Sequence, residues 1–194
     1  MLIIKSPSIN AYQNIASEEY LFQEFKEDIF LLYKNEKAII VGRKQNTKAE
    51  INEHFVQQHQ VKVVRRMSGG GAVFHDLGNL NFCFIIRNVP SYESDFSKYT
   101  LPAIEVLKDL GVEARLEGRN DLLIDGRKFS GNAKYFSAGT LLQHGTILFD
   151  SNISDIVESL SVDMSKFDDK AVKSVRSRVC NITEHLKASM TLDE

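Results

Sequence analysis

The sequence has no tryptophan, only three prolines and only two cysteines among its 194 residues. Cys83 and Cys180 lie far apart and form no Cys-x-x-Cys pair, so their spacing predicts neither a disulfide scaffold nor a cysteine-ligated metal site. Cys83 also falls within an apolar run, which is typical of a small buried thiol. We therefore expect both cysteines to be reduced and structural.

The sequence also lacks an excess of positive charge, since 24 Lys and Arg residues are balanced by 26 Asp and Glu residues, for a formal net charge of −2. This balance does not favour nucleic acid or an anionic membrane as a partner. No apolar run approaches the roughly 20 residues that a membrane-spanning helix needs. The N-terminal residues lack the basic and apolar segments of a signal peptide. The sequence therefore predicts a cytoplasmic protein without a membrane partner.

Hydrophobic residues make up 43% of the chain, which is enough for one globular domain over residues 1–194. Helical periodicity marks residues 11–26, 49–60, 94–110 and 153–160. The β-rich runs at 29–33 and 38–42 are predicted to form a hairpin, and the apolar run at 80–86 a central strand. Helices and strands do not alternate strictly. We therefore expect an α/β chain of the α+β type, with a mixed, mostly antiparallel central sheet and packed helices.

Three adjacent glycines at positions 69–71 follow the pair Arg65 and Arg66. Glycine contributes no packing surface, so such a run indicates a tight turn or a close approach of a ligand to the main chain. Backbone N–H groups in such a turn can face an anion, and a guanidinium can hold a phosphate or carboxylate by two hydrogen bonds. The run lacks the spacing of the common nucleotide-binding motifs. A plain glycine-rich hairpin with a surface arginine pair is the alternative interpretation.

Polar residues bracketed by small ones recur in three later segments of β character, at residues 118–121, 128–133 and 143–146. This pattern is typical of a lined pocket rather than of an apolar core. Asp121 is a candidate to position a metal or a ribose. His75 and His144 are candidate proton carriers, and a structural hydrogen-bonding role is the alternative for both.

Three runs of the sequence together carry a resemblance to a known family. They read RRMSGGGAVFHDLGNLNF at residues 65–82, GRNDLLIDGRKFSGNA at 118–133 and QHGTILFD at 143–150. In this order and at these separations they resemble the lipoate-protein ligase family. The resemblance extends to residues 14–20, 42–46 and 174–179, and so it covers nearly the whole chain.

The resemblance implies a catalytic fold shared with biotin-protein ligases and octanoyltransferases and related to the core of class II aminoacyl-tRNA synthetases. It implies that lipoate attacks the α-phosphate of ATP, helped by Mg²⁺, to give lipoyl-AMP and pyrophosphate. An acceptor lysine would then take the lipoyl group. The implied partners are the lipoyl domains of 2-oxoacid dehydrogenase complexes and the glycine cleavage H protein.

The resemblance also implies roles for individual residues. ATP and adenylate contacts would come from Arg66 and the main chain of residues 71–74, with Asp121 as a possible metal ligand. The lipoyl chain would lie against apolar groups near Arg43 and Val73. The implied substrate and ATP contacts are Arg66, Ser68, Gly69, Gly70, Gly71, Ala72, Val73, Phe74, His75, Asn79, Asp121, Ser130, Gly131, Asn132, Ala133, His144 and Gly145, with Arg43 at the lipoate pocket.

One position departs from the pattern that the resemblance implies. A lysine that contacts both the acyl carbonyl and the phosphate is expected at position 138, where this chain has alanine. Lys134 is the nearest substitute, but four residues of strand separate the two positions by roughly 13 Å. Three alternatives stay open: an engineered variant, an enzyme that uses Lys134 or another base, and a paralogue that binds lipoyl groups without activating them. We favour an active or formerly active ligase, because the rest of the pocket signature is intact.

Two alternative functions compete with ligation. Transfer of a lipoyl or octanoyl group from a preformed acyl donor would need a thiol or lysine nucleophile at the pocket. A non-catalytic lipoyl-binding protein is suggested only by Ala138, and biotin ligation fits the runs less well.

Members of the resembled family usually continue past the segment at residues 174–179, so the resemblance also implies a catalytic domain that is truncated at its C-terminus and lacks the accessory domain.

Overall fold

The computed structural model describes residues 1–160 and 178–194. In chain order, its main elements are β1 (Leu2–Lys5), α1 (Ala11–Glu24), β2 (Ile29–Lys34), β3 (Ala38–Val41), α2 (Glu53–Gln58), β4 (Lys62–Arg65), β5 (Val73–His75), β6 (Asn79–Ile86), α3 (Ser97–Asp109), β7 (Ala114–Glu117), β8 (Asp121–Ile124), β9 (Arg127–Ser137), β10 (Thr140–Leu148) and α4 (Ile153–Ser159). Short 3₁₀ helices cover Thr47–Ala49 and Ile182–His185.

The strands form two sheets of different size. The larger sheet has seven strands in the order β1-β2-β6-β10-β9-β8-β7, and β1 and β2 are its parallel pair. The smaller sheet has the order β4-β3-β5, with β3 parallel to β4 and antiparallel to β5. The expectation of a mixed, mostly antiparallel sheet with packed helices is confirmed. The expected central strand is β6, which lies between β2 and β10.

The predicted hairpin between the second and third strands is wrong. β2 pairs with β1 and β6 in the larger sheet, whereas β3 lies at the centre of the smaller one. Burial explains the separation: β2 alternates between buried and partly buried residues, but all four residues of β3 are buried. A strand buried at every position needs cover on both faces, which a central position in a sheet between two layers supplies.

Helix α1 begins after the capping residue Asn10, and two of its polar side chains are buried. The side-chain oxygen of Asn10 accepts hydrogen bonds from the backbone N–H groups of Tyr12 and Gln13, which fixes the start of the helix. The buried face of α1 holds apolar residues together with Asn14 and Glu18. Buried polar side chains of this kind need hydrogen-bond partners, and both have them at the site described below.

Apolar residues form separate clusters on the two halves of the larger sheet. One cluster packs α1 against β2, β6 and β10, with Ile15, Ile29 and Ile85 among its buried residues. A second packs α3 and the C-terminal segment against β8 and β9, around Phe129. A third lies between the smaller sheet, α2 and α4. No helix in residues 1–160 or 178–194 is long and apolar enough to cross a membrane.

Gly78, in the turn between β5 and β6, provides a test of the packing. A Cβ atom at position 78 would lie 2.1 Å from the carbonyl oxygen of Asp150, so the backbone would have to move. We predict that Gly78→Ala lowers the free energy of unfolding by about 1–3 kcal/mol, the usual effect of overpacking, as measured by urea denaturation. Gly69→Ala is the control, because no heavy atom lies within 4 Å of its added Cβ. Equal effects of the two substitutions would contradict this account of the turn.

Candidate active site

The two sheets enclose a cavity of about 160 Å³. One wall comes from the smaller sheet and the glycine-rich loop that precedes β5, and the other comes from the middle of the β9–β10 hairpin. The residues that line the cavity are Ile15, Tyr33, Ile40, Arg66, Gly70, Gly71, Ala72, Val73, His75, Asn81, Asn120, Lys128, Gly131, Asn132, Ala133, His144, Gly145 and Thr146.

The side chain of Arg66 holds the glycine-rich loop in place by hydrogen bonds. Its guanidinium is 6% exposed, and Nη2 donates to the carbonyl oxygens of Gly69 and Gly71 at 2.8 and 2.7 Å. Nη1 donates to the carbonyl oxygen of Ile40 at 2.9 Å, and Nε to Oγ of Ser68 at 3.0 Å. The alternative interpretation of a surface arginine pair is therefore wrong for Arg66. Because most of its N–H donors bind the protein itself, Arg66 shapes the loop.

The loop leaves backbone donors free at the cavity. No acceptor in the described part of the chain takes the backbone N–H groups of residues 70–72. Gly70 has a φ of +93°, a conformation that suits glycine. Position 42 must also be glycine, because a Cβ atom there would lie 2.1 Å from the carbonyl oxygen of Gly70. The loop therefore has the form of an anion-binding concavity, in which successive N–H groups face a ligand.

Lys128 supplies a cation on the opposite wall. Its Nζ lies 2.8 Å from Oδ1 of Asp121, and the side chain folds over Gly131, where an added Cβ would lie 3.0 Å from Nζ. A β-bulge explains this position, because Leu122 pairs with Ser130 while Leu123 pairs with Lys128, which leaves one extra residue in β9. Without the bulge, Lys128 would face the other side of the sheet from Asp121. The sequence placed Lys128 in a segment predicted to line a pocket but assigned it no individual role.

The cation expected at position 138 lies elsewhere. Ala138 occupies the two-residue turn between β9 and β10 with a φ of +48°, five residues and roughly 16 Å along the strand from Ala133. Lys134 points away from the cavity: its Nζ donates to the carbonyl oxygens of Glu93 and Asp95 and lies 4.8 Å from the centre of the Phe96 ring. The interpretation that the pocket lacks its lysine is therefore wrong, because Lys128 lines the cavity.

His75 presents an unpaired donor to the cavity. The side-chain oxygen of Asn35 accepts from Asn14, so the Asn35 amide nitrogen faces Nδ1 of His75 at 3.0 Å and donates to it. The proton of the neutral ring then lies on Nε2, which has no partner among the described residues. Burial, followed by the positive charge of Arg66, lowers the pKa of His75 to about 3. His75 is therefore a neutral hydrogen-bond donor and unsuited to carrying a proton near neutral pH.

Asn132 adds an unpaired acceptor to the same cavity. Its Nδ2 donates to the carbonyl oxygen of Asn120 at 3.1 Å, while Oδ1 is buried without a partner among the described residues. Gly145 makes room for this amide, because a Cβ atom there would lie 2.4 Å from Oδ1 of Asn132 and 2.6 Å from the Phe82 ring. Buried polar atoms are normally paired, and these two unpaired atoms belong to residues that line the cavity.

Several residues of the expected set do not line the cavity. Ser68 and Ser130 lie buried behind its walls, Phe74 belongs to the core of the smaller sheet, and Arg43 lies on the surface over the ring of Tyr135. The remaining expected residues outside the lining are Gly69, Asn79 and Asp121. Asn120 and Thr146 belong to segments that the sequence predicted to line a pocket, whereas Ile15, Tyr33, Ile40 and Asn81 were not predicted. Positions 174–177 of the resembled segment lie outside the described residues.

The comparison with protein families places residues 10–194 in one family, the lipoyl protein ligase A/B catalytic domain. The chain belongs to this family. It is also 47% identical to the lipoate-protein ligase LplJ of Bacillus subtilis, over all of this chain and 60% of the relative. The chain therefore spans about 60% of the length of that relative.

Solved structures of family members superpose on most of the chain. A bipartite lipoate protein ligase from Thermoplasma acidophilum, described with its E2 lipoyl domain, has a TM-score of 0.84 at 28% identity and covers 97% of this chain and 77% of its own. A lipoate-protein ligase A bound with ATP has a TM-score of 0.79 at 25% identity and covers 97% and 78%. A biotin protein ligase from Aquifex aeolicus shares the fold alone, with a TM-score of 0.51 at 14% identity over 100% of this chain and 62% of its own.

The lowered pKa of His75 predicts a specific acid sensitivity. The folded protein excludes a proton that the unfolded chain binds below about pH 6.5, so stability is complete above that pH and falls as the pH drops towards about 3. We predict that wild type loses about 2 kcal/mol more than His75→Gln between pH 7 and pH 5, by urea denaturation. Exposed His54→Gln is the control. Parallel stability curves for wild type and His75→Gln would contradict the prediction.

Proposed function

We propose that this chain is the adenylate-forming catalytic domain of a lipoate-protein ligase. The observation that carries the proposal is the pairing of free backbone donors in residues 70–72 with the Lys128 cation across one cavity. Such an arrangement suits an acyl-phosphate, which has anionic oxygens on one side and a carbonyl on the other. Membership of the ligase family and the likeness to an ATP-bound ligase support the same conclusion.

In the first step, a lipoate carboxylate oxygen attacks the α-phosphorus of ATP, and pyrophosphate leaves. The glycine-rich loop would bind the phosphates through its N–H groups, and Lys128 would stabilise the negative charge that develops on the phosphate and the acyl oxygen. Preorganised donors of this kind need no reorganisation during the reaction, which is why they lower the barrier. His75 and Asn132 would orient the adenylate through their unpaired Nε2 and Oδ1 atoms.

The acyl chain would occupy the apolar end of the cavity. The apolar lining residues Ile15, Ile40 and Val73 belong to, or pack against, the core cluster between α1 and the sheets. An apolar surface next to polar groups matches a substrate that has a hydrocarbon tail and a carboxylate head. The lipoyl chain was expected to lie near Arg43 and Val73. Val73 lines the cavity and remains a proposed contact, whereas Arg43 is exposed and lies outside the lining.

Asp121 is the carboxylate at the site that fits a magnesium ion. Mg²⁺ in nucleotide sites is usually held by one or two carboxylates together with substrate phosphates, so a single aspartate is a sufficient protein ligand. The ion would neutralise phosphate charge when bound. Asp121 also forms an ion pair with Lys128 at 2.8 Å, which holds the lysine side chain at the cavity.

In the second step, the ε-amine of an acceptor lysine attacks the carbonyl carbon of lipoyl-AMP, AMP leaves, and the amine loses its proton. We propose lipoyl domains of 2-oxoacid dehydrogenase complexes and the glycine cleavage H protein as acceptors. The Thermoplasma ligase that superposes on this chain is described with its E2 lipoyl domain, which supports this choice.

The rival function, transfer from a preformed acyl donor, needs a thiol or lysine nucleophile at the pocket, and the two cysteines do not supply the thiol. Cys83 and Cys180 are both buried, and neither lines the cavity. Burial raises the pKa of the Cys83 thiol well above its usual range, and raises that of Cys180 to about 11. Thiolates are the nucleophilic form, so neither cysteine is prepared for attack on an acyl donor.

The assignment of Lys128 predicts the rate of ATP–pyrophosphate exchange with lipoate. Lys128→Ala should lower this rate by about 10²- to 10³-fold, because one charged donor to the developing negative charge is lost. The same assay with octanoate and biotin measures the preference among acyl substrates, and we expect exchange with lipoate and little with biotin.

Two variants on the same strand serve as controls. Lys134→Ala removes a lysine that faces away from the cavity, and Ala138→Lys adds one at the distant turn, so both should retain the wild-type rate. A strong gain in Ala138→Lys, or a loss in Lys134→Ala equal to that in Lys128→Ala, would contradict the assignment. A wild-type chain that binds lipoyl-AMP but exchanges no pyrophosphate would instead be a binding protein.

A further inference from the structure

Four buried side chains, those of Arg66, Ser68, His144 and Glu18, are joined by hydrogen bonds, and we call this series the relay. Nε of Arg66 donates to Oγ of Ser68 at 3.0 Å, Oγ of Ser68 lies 2.6 Å from Nε2 of His144, and Nδ1 of His144 lies 2.7 Å from Oε2 of Glu18. All four residues are buried. The relay joins the guanidinium of Arg66, next to the glycine-rich loop, to the carboxylate of Glu18 on helix α1.

In the relay each side chain donates a hydrogen bond to the next one, from Arg66 to Glu18. Arg66 can only donate, so Ser68 accepts from it. Of the two acceptors near the Ser68 hydroxyl, Nε2 of His144 at 2.6 Å is much closer than the carbonyl oxygen of Gly69 at 3.5 Å, so the hydroxyl donates to His144. Nδ1 of His144 then carries the ring proton and donates it to Glu18. The Glu18 carboxylate accepts further hydrogen bonds from the Tyr33 hydroxyl at 2.9 Å and from the Cys83 thiol. Three donors therefore satisfy this buried carboxylate.

Two competing interpretations of this cluster fit less well. Serine, histidine and carboxylate in this order resemble a hydrolytic triad, but Ser68 is 0% exposed and its hydroxyl is already bound on both sides. Glu18, Cys83 and His144 have ligand atoms within 4.8 Å of one another, as a metal site would require. Binding a metal there would break the hydrogen bonds that satisfy all three. The arrangement therefore suits a positioning role.

We propose that Glu18 is a positioning residue for phosphate binding by the glycine-rich loop, an inference that rests on the proposed ligase function. Glu18 fixes the tautomer of His144, which fixes the Ser68 hydroxyl as the acceptor for Arg66. Arg66 in turn holds the carbonyl oxygens of Gly69 and Gly71, and so keeps the following N–H groups free for an anion. The negative charge of Glu18 also opposes the lowering of the Arg66 pKa by burial.

Glu18→Gln tests this role, because glutamine keeps the size of the side chain and removes its charge. We expect the affinity for inorganic pyrophosphate, measured by calorimetry, to fall about 10- to 100-fold, the usual effect of removing the support of a ligand-binding group. In pyrophosphate exchange, KM for ATP should rise much more than KM for lipoate. Nitrogen-15 NMR of His144 should show loss of the single Nδ1–H tautomer. Glu18→Asp, which keeps the charge, should recover part of the affinity.

Cys83→Ala is the matched control, because it removes a donor to Glu18 that lies outside the relay. We expect it to keep the His144 tautomer and the pyrophosphate affinity. An equal loss in Cys83→Ala, or an unchanged tautomer and affinity in Glu18→Gln, would overturn the proposal. If Glu18→Gln does not fold, Ser68→Ala interrupts the relay without changing charge, and it should lower the affinity as well; retained affinity there overturns the proposal.

The tautomer and pyrophosphate measurements do not depend on turnover. A wild-type protein without ATP–pyrophosphate exchange would refute the proposed ligase function. The relay would then still be judged by the NMR signals and the binding of pyrophosphate, so the two failures can be told apart.

Discussion

The buried guanidinium of Arg66 is the interaction on which the site depends. It binds the carbonyl of Ile40 in the smaller sheet, two carbonyls of the glycine-rich loop and the hydroxyl of Ser68. A buried cation must be paired and hydrogen-bonded, and here its partners are the groups whose positions define the cavity. Satisfying Arg66 therefore also fixes the loop, and the loop gains its shape from an interior residue rather than from helix or sheet hydrogen bonds.

The opposite wall depends on a different constraint, the register of the long hairpin. A bulge in β9 turns Lys128 to the side of Asp121, and the pairing of Gly145 with Asn132 brings two small or polar residues opposite each other. Each wall by itself is common: one is a glycine-rich turn and the other a strand with an ion pair. The proposed chemistry requires both, since an acyl-phosphate needs donors on its oxygens and a cation at the bond that forms.

Glu18, a residue of helix α1, links this helix to both walls of the cavity through hydrogen bonds. Its carboxylate lies below the cavity, reaches His144 on β10, and through His144 and Ser68 reaches the loop of the other sheet. A helix that covers the sheet thereby also contributes to the electrostatics of the site. The chain aligns with 60% of the length of LplJ, at 47% identity.

The sequence by itself determined the family, through the resemblance of three runs, and the fold class. It also indicated many of the loop and hairpin residues that line the cavity, because adjacent glycines and polar residues inside β-rich runs are rarely compatible with a plain apolar core. It did not determine the partner of β3, the role of Arg66 or the position of the cation. Lys128 fell within a segment predicted to line a pocket, but it received no role because the cation was expected at position 138, and only the bulge that forms against β8 turns it to the face of Asp121. Likewise, Glu18 is one of several acidic residues of an amphipathic helix until packing buries it beside His144. Register and burial are long-range properties, and the tertiary structure alone decides them.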